Sequence, residues 1–276
     1  MLFRSKQKTA YEISLSDWSS DVCSSDLGDR LVVADHTRGV NSVSSLYSKW
    51  VNEQLVWYDG VNSQRWLDAI GLDVVKVIED FAATPFASAD NMAAYTTTLT
   101  GASTAALEAG GVLLLTTTGT EDDGLNIQAQ GEAFLLASGK ECYFGAKIKI
   151  SAATESEFVI GLCITDTTLL GGMTDGIYFR KPDGGTTMSF VLEKGSAETA
   201  TAYGSALVAD TWYTLECYFD GTNIDWWVNN VLQTRPVTTN LPHTEYLTPS
   251  IAWLNGATAG GPIMRVDWIR AIQINA

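Results

Sequence analysis

The chain has 276 residues, with 17 Lys and Arg against 32 Asp and Glu, and a formal net charge of −15. A surface of that sign repels phosphate backbones, which disfavours nucleic-acid binding, and no apolar run approaches the ~18 residues of a membrane span. No C-x-x-C pair occurs among its four cysteines, so a zinc site of the usual spacing is excluded as well.

The leader is anomalous. Asp17-Trp18-Ser19-Ser20-Asp21-Val22-Cys23-Ser24-Ser25-Asp26-Leu27 back-translates to a short-read sequencing adapter, and Lys6-Gln7-Lys8-Thr9-Ala10-Tyr11-Glu12-Ile13 to the other end of the same oligonucleotide, in one frame. Residues 1–27 are therefore expected to be an artefactual, adapter-derived leader of metagenomic origin with no packed role. Without its three basic and four acidic residues, Gly28–Ala276 carries a net charge of −14. Cys142, Cys163 and Cys217 remain; each lies in or beside an apolar run and is expected as a small buried hydrophobe.

Residues 28–72 read as a small β-hairpin arm. Leu31-Val32-Val33-Ala34 is one strand. Gln54-Leu55-Val56-Trp57-Tyr58 leads through Asp59-Gly60, a strong turn pair, to Gln64-Arg65-Trp66-Leu67. Val43, Leu46 and Trp50 sit at helical spacing, so a short helix over 42–51 is the alternative there. This stretch is too small to bury a core alone and is expected to pack on the main domain or on another subunit.

Residues 73–276 read as one β-sandwich. Val74 to Phe81 is a strand; 84–110 is a softer Ala/Ser/Thr stretch with a helical turn at Ala105-Ala106-Leu107-Glu108. Strands are then expected at 112–118, 124–129, 132–136, 142–151, 156–166, 176–181, 187–193, 197–207, 212–219, 223–229, 231–235, 246–253 and 263–275. Pro182-Asp183-Gly184-Gly185, Lys194-Gly195, Asp220-Gly221 and Asn229-Asn230 supply the turns. In 144–150, Lys147 and Lys149 share one face and Phe144, Ala146, Ile148 and Ile150 the other, a half-buried antiparallel strand. Phe158 to Ile164 is apolar apart from Gly161 and belongs at the centre of a sheet. The parity of Tyr213, Leu215, Cys217 and Phe219 points Cys217 inward and Glu216 to water.

Residues 210–232 carry the sharpest pattern: Trp212-Tyr213-Thr214-Leu215, then Asp220-Gly221, then Trp226-Trp227-Val228-Asn229-Asn230. This hairpin resembles one of concanavalin A-like and laminin-G-like jelly rolls, and Val266 to Ile274 resembles their closing strand, which returns beside the first. Asn230 stands where that pattern often has Gly, a tolerable change because Asn accepts positive φ. The resemblance implies an all-β, antiparallel jelly-roll β-sandwich, here with the N-terminal arm attached. The arm followed by a jelly roll also resembles, in arrangement, structural proteins of tailed-phage particles, including head decoration and fibre components.

The catalytic patterns are weak. Polysaccharide-cleaving jelly rolls resemble one another in an E-x-D-x-x-E strand; the nearest run here, Glu121-Asp122-Asp123-Gly124-Leu125-Asn126, has Asn126 in place of the last carboxylate and Gly124 interrupting it. It reads as a solvated charged turn, with a weak calcium site as the sharper alternative. The histidines are His36 in the arm and His243 in a loop, with no G-x-S-x-G elbow; Cys163 with His243 is conceivable as a pair, but the apolar neighbours of Cys163 make it structural. The glycine pairs lack phosphate-loop spacing.

Binding remains. Trp226 and Trp227 face opposite sides of a strand. Ile224 and Val228 share the parity of Trp226, which assigns Trp226 inward and Trp227 outward, where an exposed indole stacks on a sugar or fills an interface. Tyr178 is the second candidate ligand-binding residue. The expectation is a non-enzymatic virion structural protein of a tailed phage, in head or fibre, attached through the jelly roll; a lectin-like carbohydrate-binding module is the alternative and a polysaccharide hydrolase the third reading. Partners would be other virion proteins, further copies of the chain or surface glycans, with no cofactor, nucleic acid or membrane. The location would be the virion, or alternatively the extracellular space.

Overall fold

The computed structural model describes residues 47–51, 54–58, 65–67, 74–81, 86–88, 91–92, 95–257 and 260–274. The leader at 1–27, the strand at 31–34, His36 and the Asp59-Gly60 turn lie outside them. The chain divides into two compact units, Met1–Leu72 and Asp73–Ala276.

In the first unit, β1 (Tyr47–Val51), β2 (Gln54–Tyr58) and β3 (Arg65–Leu67) form an antiparallel meander in that order, with Trp50 opposite Leu55 and Trp57 opposite Trp66. The helix alternative over 42–51 fails at Tyr47–Val51. Tyr, Trp and Val suit a pleated surface, and pairing with β2 satisfies backbone groups that one helical turn would leave open.

The second unit holds β4 (Val74–Glu79), β5 (Phe86–Ser88), β6 (Asn91–Met92), β7 (Tyr95–Thr100), β8 (Thr104–Glu108), β9 (Val112–Thr116), β10 (Gly124–Ala129) and β11 (Phe134–Leu135). It continues with β12 (Glu141–Ile150), β13 (Ser156–Cys163), β14 (Gly176–Lys181), β15 (Thr187–Lys194), β16 (Ala197–Ala206) and β17 (Trp212–Phe219). The last are β18 (Ile224–Val228), β19 (Val231–Leu232), β20 (Tyr246–Asn255) and β21 (Ile263–Ile274). No α-helix occurs among the described residues, and so no helix long and apolar enough to cross a membrane.

Two antiparallel sheets build the sandwich, in keeping with the alternation along the chain. The first runs β16-β15-β14-β13-β20-β10-β7, with β11 attached to β20. The second runs β19-β18-β17-β12-β21-β9-β8, with β4 attached to β21. Strand β13 is the middle of its sheet, where the apolar run 158–164 belongs. Strand β21 lies beside β4, Ile269 opposite Glu79, so the closing strand does return to the first strand of this unit.

The core fills the space between the inner faces. Phe158, Ile160 and Leu162 enter it from β13, Phe179 from β14 and Phe190 from β15; Phe144, Leu215 and Trp226 meet them from the second sheet. Phe190 stacks on Trp226 with ring centroids 5.5 Å apart, and Phe179 tilts against both rings. Cys142, Cys163 and Cys217 are free and buried, in line with their apolar neighbours.

The turns close as their residues require. Asp220 Oδ1 accepts the Thr222 and Asn223 amides at 2.8 and 2.6 Å, and Gly221 takes φ +93°. Asn229 and Asn230 both adopt positive φ between β18 and β19.

Several expectations change. The stretch 84–110 contains strands β5 to β8, and Ala105–Glu108 is not a helical turn: it pairs with β9, Ala105 opposite Leu115. The β-branched threonines of β7 and β8 favour the extended chain, and the small Ala105 buries cleanly in the core. The strands at 132–136 and 231–235 shorten to Phe134–Leu135 and Val231–Leu232. Gly124 opens β10 rather than interrupting it; a side chain there would collide with the Trp253 carbonyl and Leu254. Glu216 does not face water. It is 2 % exposed and accepts the Tyr143 hydroxyl at 2.8 Å, in the gap left by Gly145 on the neighbouring strand. Parity gives its face correctly; the large aromatic neighbours on that face bury it.

Candidate functional site

The site lies on the outer face of the first sheet. The segment 164–175 between β13 and β14 crosses that face as a strap. Leu169 and Met173 anchor it, burying themselves with Val159, Cys163, Tyr178, Val191 and Ala252 in a second apolar cluster. Amides from β10 hold one flank: Gln128 donates to the Ile164 carbonyl at 2.9 Å and Asn126 to that of Thr167 at 2.5 Å. Asp175 holds the other, accepting the Gly195 amide at 3.1 Å from the β15–β16 turn. Gly171, at φ +100°, forms the tip.

Two clefts flank the strap and share a wall at Glu157, Leu170 and Gly171. The smaller, about 420 Å³, is lined by Thr98, Thr100, Asp122 and Asn126. The larger, about 710 Å³, is lined by Tyr178, Arg180, Ser189, Glu193 and Glu198.

Alternation along three neighbouring strands assembles the larger cleft. Tyr178 and Arg180 point outward from β14; Val191 and Glu193 do so from β15, and the β15–β16 pairing sets Glu193 opposite Glu198. Two like charges across a strand pair destabilise it unless other groups compensate. Here they do. Arg180 donates to both oxygens of Glu198, at 2.5 and 2.6 Å. The Tyr178 hydroxyl donates to Glu193 Oε2 at 2.8 Å and reaches Glu198 Oε1 at 3.4 Å. The guanidinium lowers the Glu198 pKa. Burial raises that of Glu193, with the Glu198 charge adding to it and the Tyr178 hydroxyl opposing. Burial also raises that of Glu157, reinforced by the charges of Asp183 and Asp122. The cleft thus presents carboxylate acceptors, a guanidinium and hydroxyls, a set suited to polyol hydroxyl groups.

Of the two candidate residues, Tyr178 is in the large cleft and Trp227 is not. Tyr178 is 1 % exposed: its ring is covered by the strap and its hydroxyl organises the two glutamates, so it offers no open stacking face. Trp227 lies on the outer parity of β18 in the second sheet, opposite Glu216 and Leu232. It is only 6 % exposed, so the expectation of an exposed indole is corrected, while Trp226 is inward and fully buried as its parity requires. Cys163 belongs to the apolar cluster under the strap. His243 is held by Lys194 at 3.2 Å and the Leu241 carbonyl at 3.1 Å, and the two form no nucleophile pair. Glu121–Asp123 is a turn, with the Asp122 amide on the Asn255 carbonyl and Asp123 accepting the Thr118 hydroxyl. Among the described residues, no group of three or more His, Cys, Asp or Glu is placed to hold a metal.

Sequence reasoning passes over Glu157, Arg180, Glu193 and Glu198. A signal exists: a tight turn at Lys194-Gly195 forces Glu193 and Glu198 into opposition, and such a pair demands a nearby cation.

The fold has known counterparts. The protein of unknown function SO2946 from Shewanella oneidensis MR-1 aligns with a TM-score of 0.54 at 15 % identity, covering 75 % of this chain and 89 % of that one. The endo-1,3-β-glucanase of Streptomyces sioyaensis aligns at 0.52 and 14 %, over 75 % and 99 %. The CBM2 module of the evolved Dit of Lactobacillus casei BL23 phage J-1 aligns at 0.51 and 13 %, over 74 % and 97 %. At such identities the likeness establishes the concanavalin-like jelly-roll fold. No curated protein matches the sequence. The model of the SO2946-like C-terminal domain matches residues 108–267, more than half of the sequence, and the chain belongs to that family.

Proposed function

We propose that this protein is a non-enzymatic structural component of a tailed-phage virion, in head or fibre, whose jelly roll attaches to surface glycans through the strapped face. The observation that carries the glycan half is the large cleft, where Tyr178, Arg180, Glu193 and Glu198 form one hydrogen-bonded set. Both Glu198 oxygens are clamped by Arg180, which suits a fixed acceptor and not a group that must attack or exchange a proton. The virion half rests on the acidic, β-rich composition, the arm-plus-jelly-roll arrangement and the shared fold with a module of a phage protein.

Arg180→Ala leaves Glu193 and Glu198 opposed without their cation and should cost some stability, but the side chain is 30 % exposed and the protein should still fold; glycan binding should weaken by roughly 10–100-fold, the worth of a charge-assisted pair. A glycan array followed by calorimetry on the best hit measures this. No binding by the folded protein to any glycan removes the glycan half; persistent absence of the product from purified particles, by mass spectrometry, removes the virion half.

One observation favours hydrolysis as a second reading: Glu193 and Glu198 share a cleft with pKa values displaced in opposite directions, the pattern of an acid and its ionised partner. Release of reducing ends from a β-glucan, abolished in Glu193→Gln, would establish it in place of the first.

A further inference from the structure

Lys181 ends β14 on the inward parity of Ile177 and Phe179, and it is 0 % exposed. A buried ammonium persists only where protein oxygens replace its water. Here the Nζ donates to the backbone carbonyls of Thr154 and Pro182, each at 3.1 Å, and to that of Ser156. Three N–H donors meet three carbonyl acceptors. The carboxylates whose charges act on it are Asp183, Glu157 and Glu155. Asp183 Oδ1 is itself buried without a hydrogen-bond partner. Backbone carbonyls with a carboxylate at hand are the donor set that small cations use.

The carbonyls come from two segments, the chain entering β13 and the turn leaving β14. These strands pair Phe158 with Lys181 and Val159 with Arg180. One residue along, Glu157 and Arg180 turn outward into the large cleft. We propose that Lys181 is a built-in cation: its ammonium fills an oxygen-lined site where β13 begins and β14 ends and so positions Glu157 and Arg180. The positioning clause rests on the cleft reading above; the cation site does not.

Burial lowers the Lys181 pKa to about 8, against the opposing pull of Asp183, Glu157 and Glu155. Between that value and the ordinary 10.5, the unfolded chain holds a proton that the folded chain has released. Stability therefore rises with pH across this window and is flat with respect to this group below it. The neutral amine keeps two N–H donors, so one of the three carbonyls loses its partner.

The test is thermal unfolding of wild type, Lys181→Ala and Lys181→Met in sodium, ammonium, methylammonium and tetramethylammonium chlorides at one ionic strength. Lys181→Ala should melt roughly 5–10 °C below wild type in sodium. Ammonium and methylammonium should recover part of the loss, and tetramethylammonium, with no N–H, none of it. An equal response to all four salts overturns the proposal. Should the alanine variant not fold, Lys181→Met decides: a side chain of similar length that leaves the Thr154, Ser156 and Pro182 carbonyls without donors should melt several degrees below wild type at pH 7, and a melting point equal to or above wild type overturns the proposal. For positioning, the Arg180 Nε–H resonance should shift in Lys181→Met but not in Val237→Ala, a control at a site 68 % exposed. An unmoved resonance removes that clause alone, and neither measurement depends on a glycan.

Discussion

Replacing Trp226 by Ala is expected to lower stability by about 3–5 kcal/mol. The indole is fully buried, stacks on Phe190 at 19° between planes and touches Phe179 across the gap between sheets. Its Nε1 donates to the Thr234 carbonyl at 2.8 Å, so truncation leaves both a cavity and an acceptor without its donor. At this size each kcal/mol moves the melting point by roughly 2–4 °C. Urea unfolding read by circular dichroism gives the number directly. A loss below about 1 kcal/mol would mean that the two sheets do not meet at Trp226 as described.

Gly161→Ala is the second large effect, expected at roughly 2–4 kcal/mol for the addition of one methyl group. Gly161 sits on the outer parity of β13, opposite Tyr178. A methyl there would overlap the Ile177 carbonyl oxygen and come within 2.5 and 2.6 Å of Tyr178 Cα and Cβ. These atoms belong to a paired strand and cannot swing aside, so β13 and β14 must separate locally. The consequence reaches the cleft, because Tyr178 is the residue whose hydroxyl holds Glu193. If the cleft binds glycans as proposed, the variant should lose that affinity at a temperature where it remains folded. Unchanged unfolding free energy in Gly161→Ala would contradict the close approach of these strands.

These two positions show how differently the sequence speaks. The apolar parity of Ile224, Trp226 and Val228 is enough to place Trp226 in the core, because alternation on a strand leaves only two faces. Gly161 reads only as an interruption in an apolar run; its meaning, room for Tyr178, depends on which strand lies next to β13. The same holds at the cleft. Tyr178 stands out as an aromatic on a strand, but its burial comes from Leu169 and Met173 on the strap, whose path over the sheet no local pattern encodes. For Glu216 and Trp227, parity gives the correct face and the wrong exposure, for a like reason. Which face a strand residue occupies is a local property; what covers that face is decided by other strands and loops.

The stretch 84–110 marks the opposite limit. Its Ala and Thr residues carry little apolar contrast, so periodicity is weak, and Tyr95–Thr100 and Thr104–Glu108 become strands because β10 and β9 offer ladders to complete. Lys181 is the sharpest case. A lysine on the inward parity of a strand contradicts the local rule, and only the convergence of the Thr154, Ser156 and Pro182 carbonyls makes that position tenable.

By itself, then, the order of residues determined the all-β class, the central placement of the apolar run 158–164, the hairpins at Asp220-Gly221 and Asn229-Asn230, and the return of the last strand. The first three follow from side-chain alternation and turn chemistry, which act over a few residues; the return of the last strand was implied by the resemblance to concanavalin A-like jelly rolls. The tertiary structure alone decided the strap, the two clefts, the opposed Glu193–Glu198 pair with its Arg180 clamp, and the carbonyl cage of Lys181. Each joins groups from separate strands, and strand pairing over long separations is fixed by the packing of the whole core rather than by any local preference.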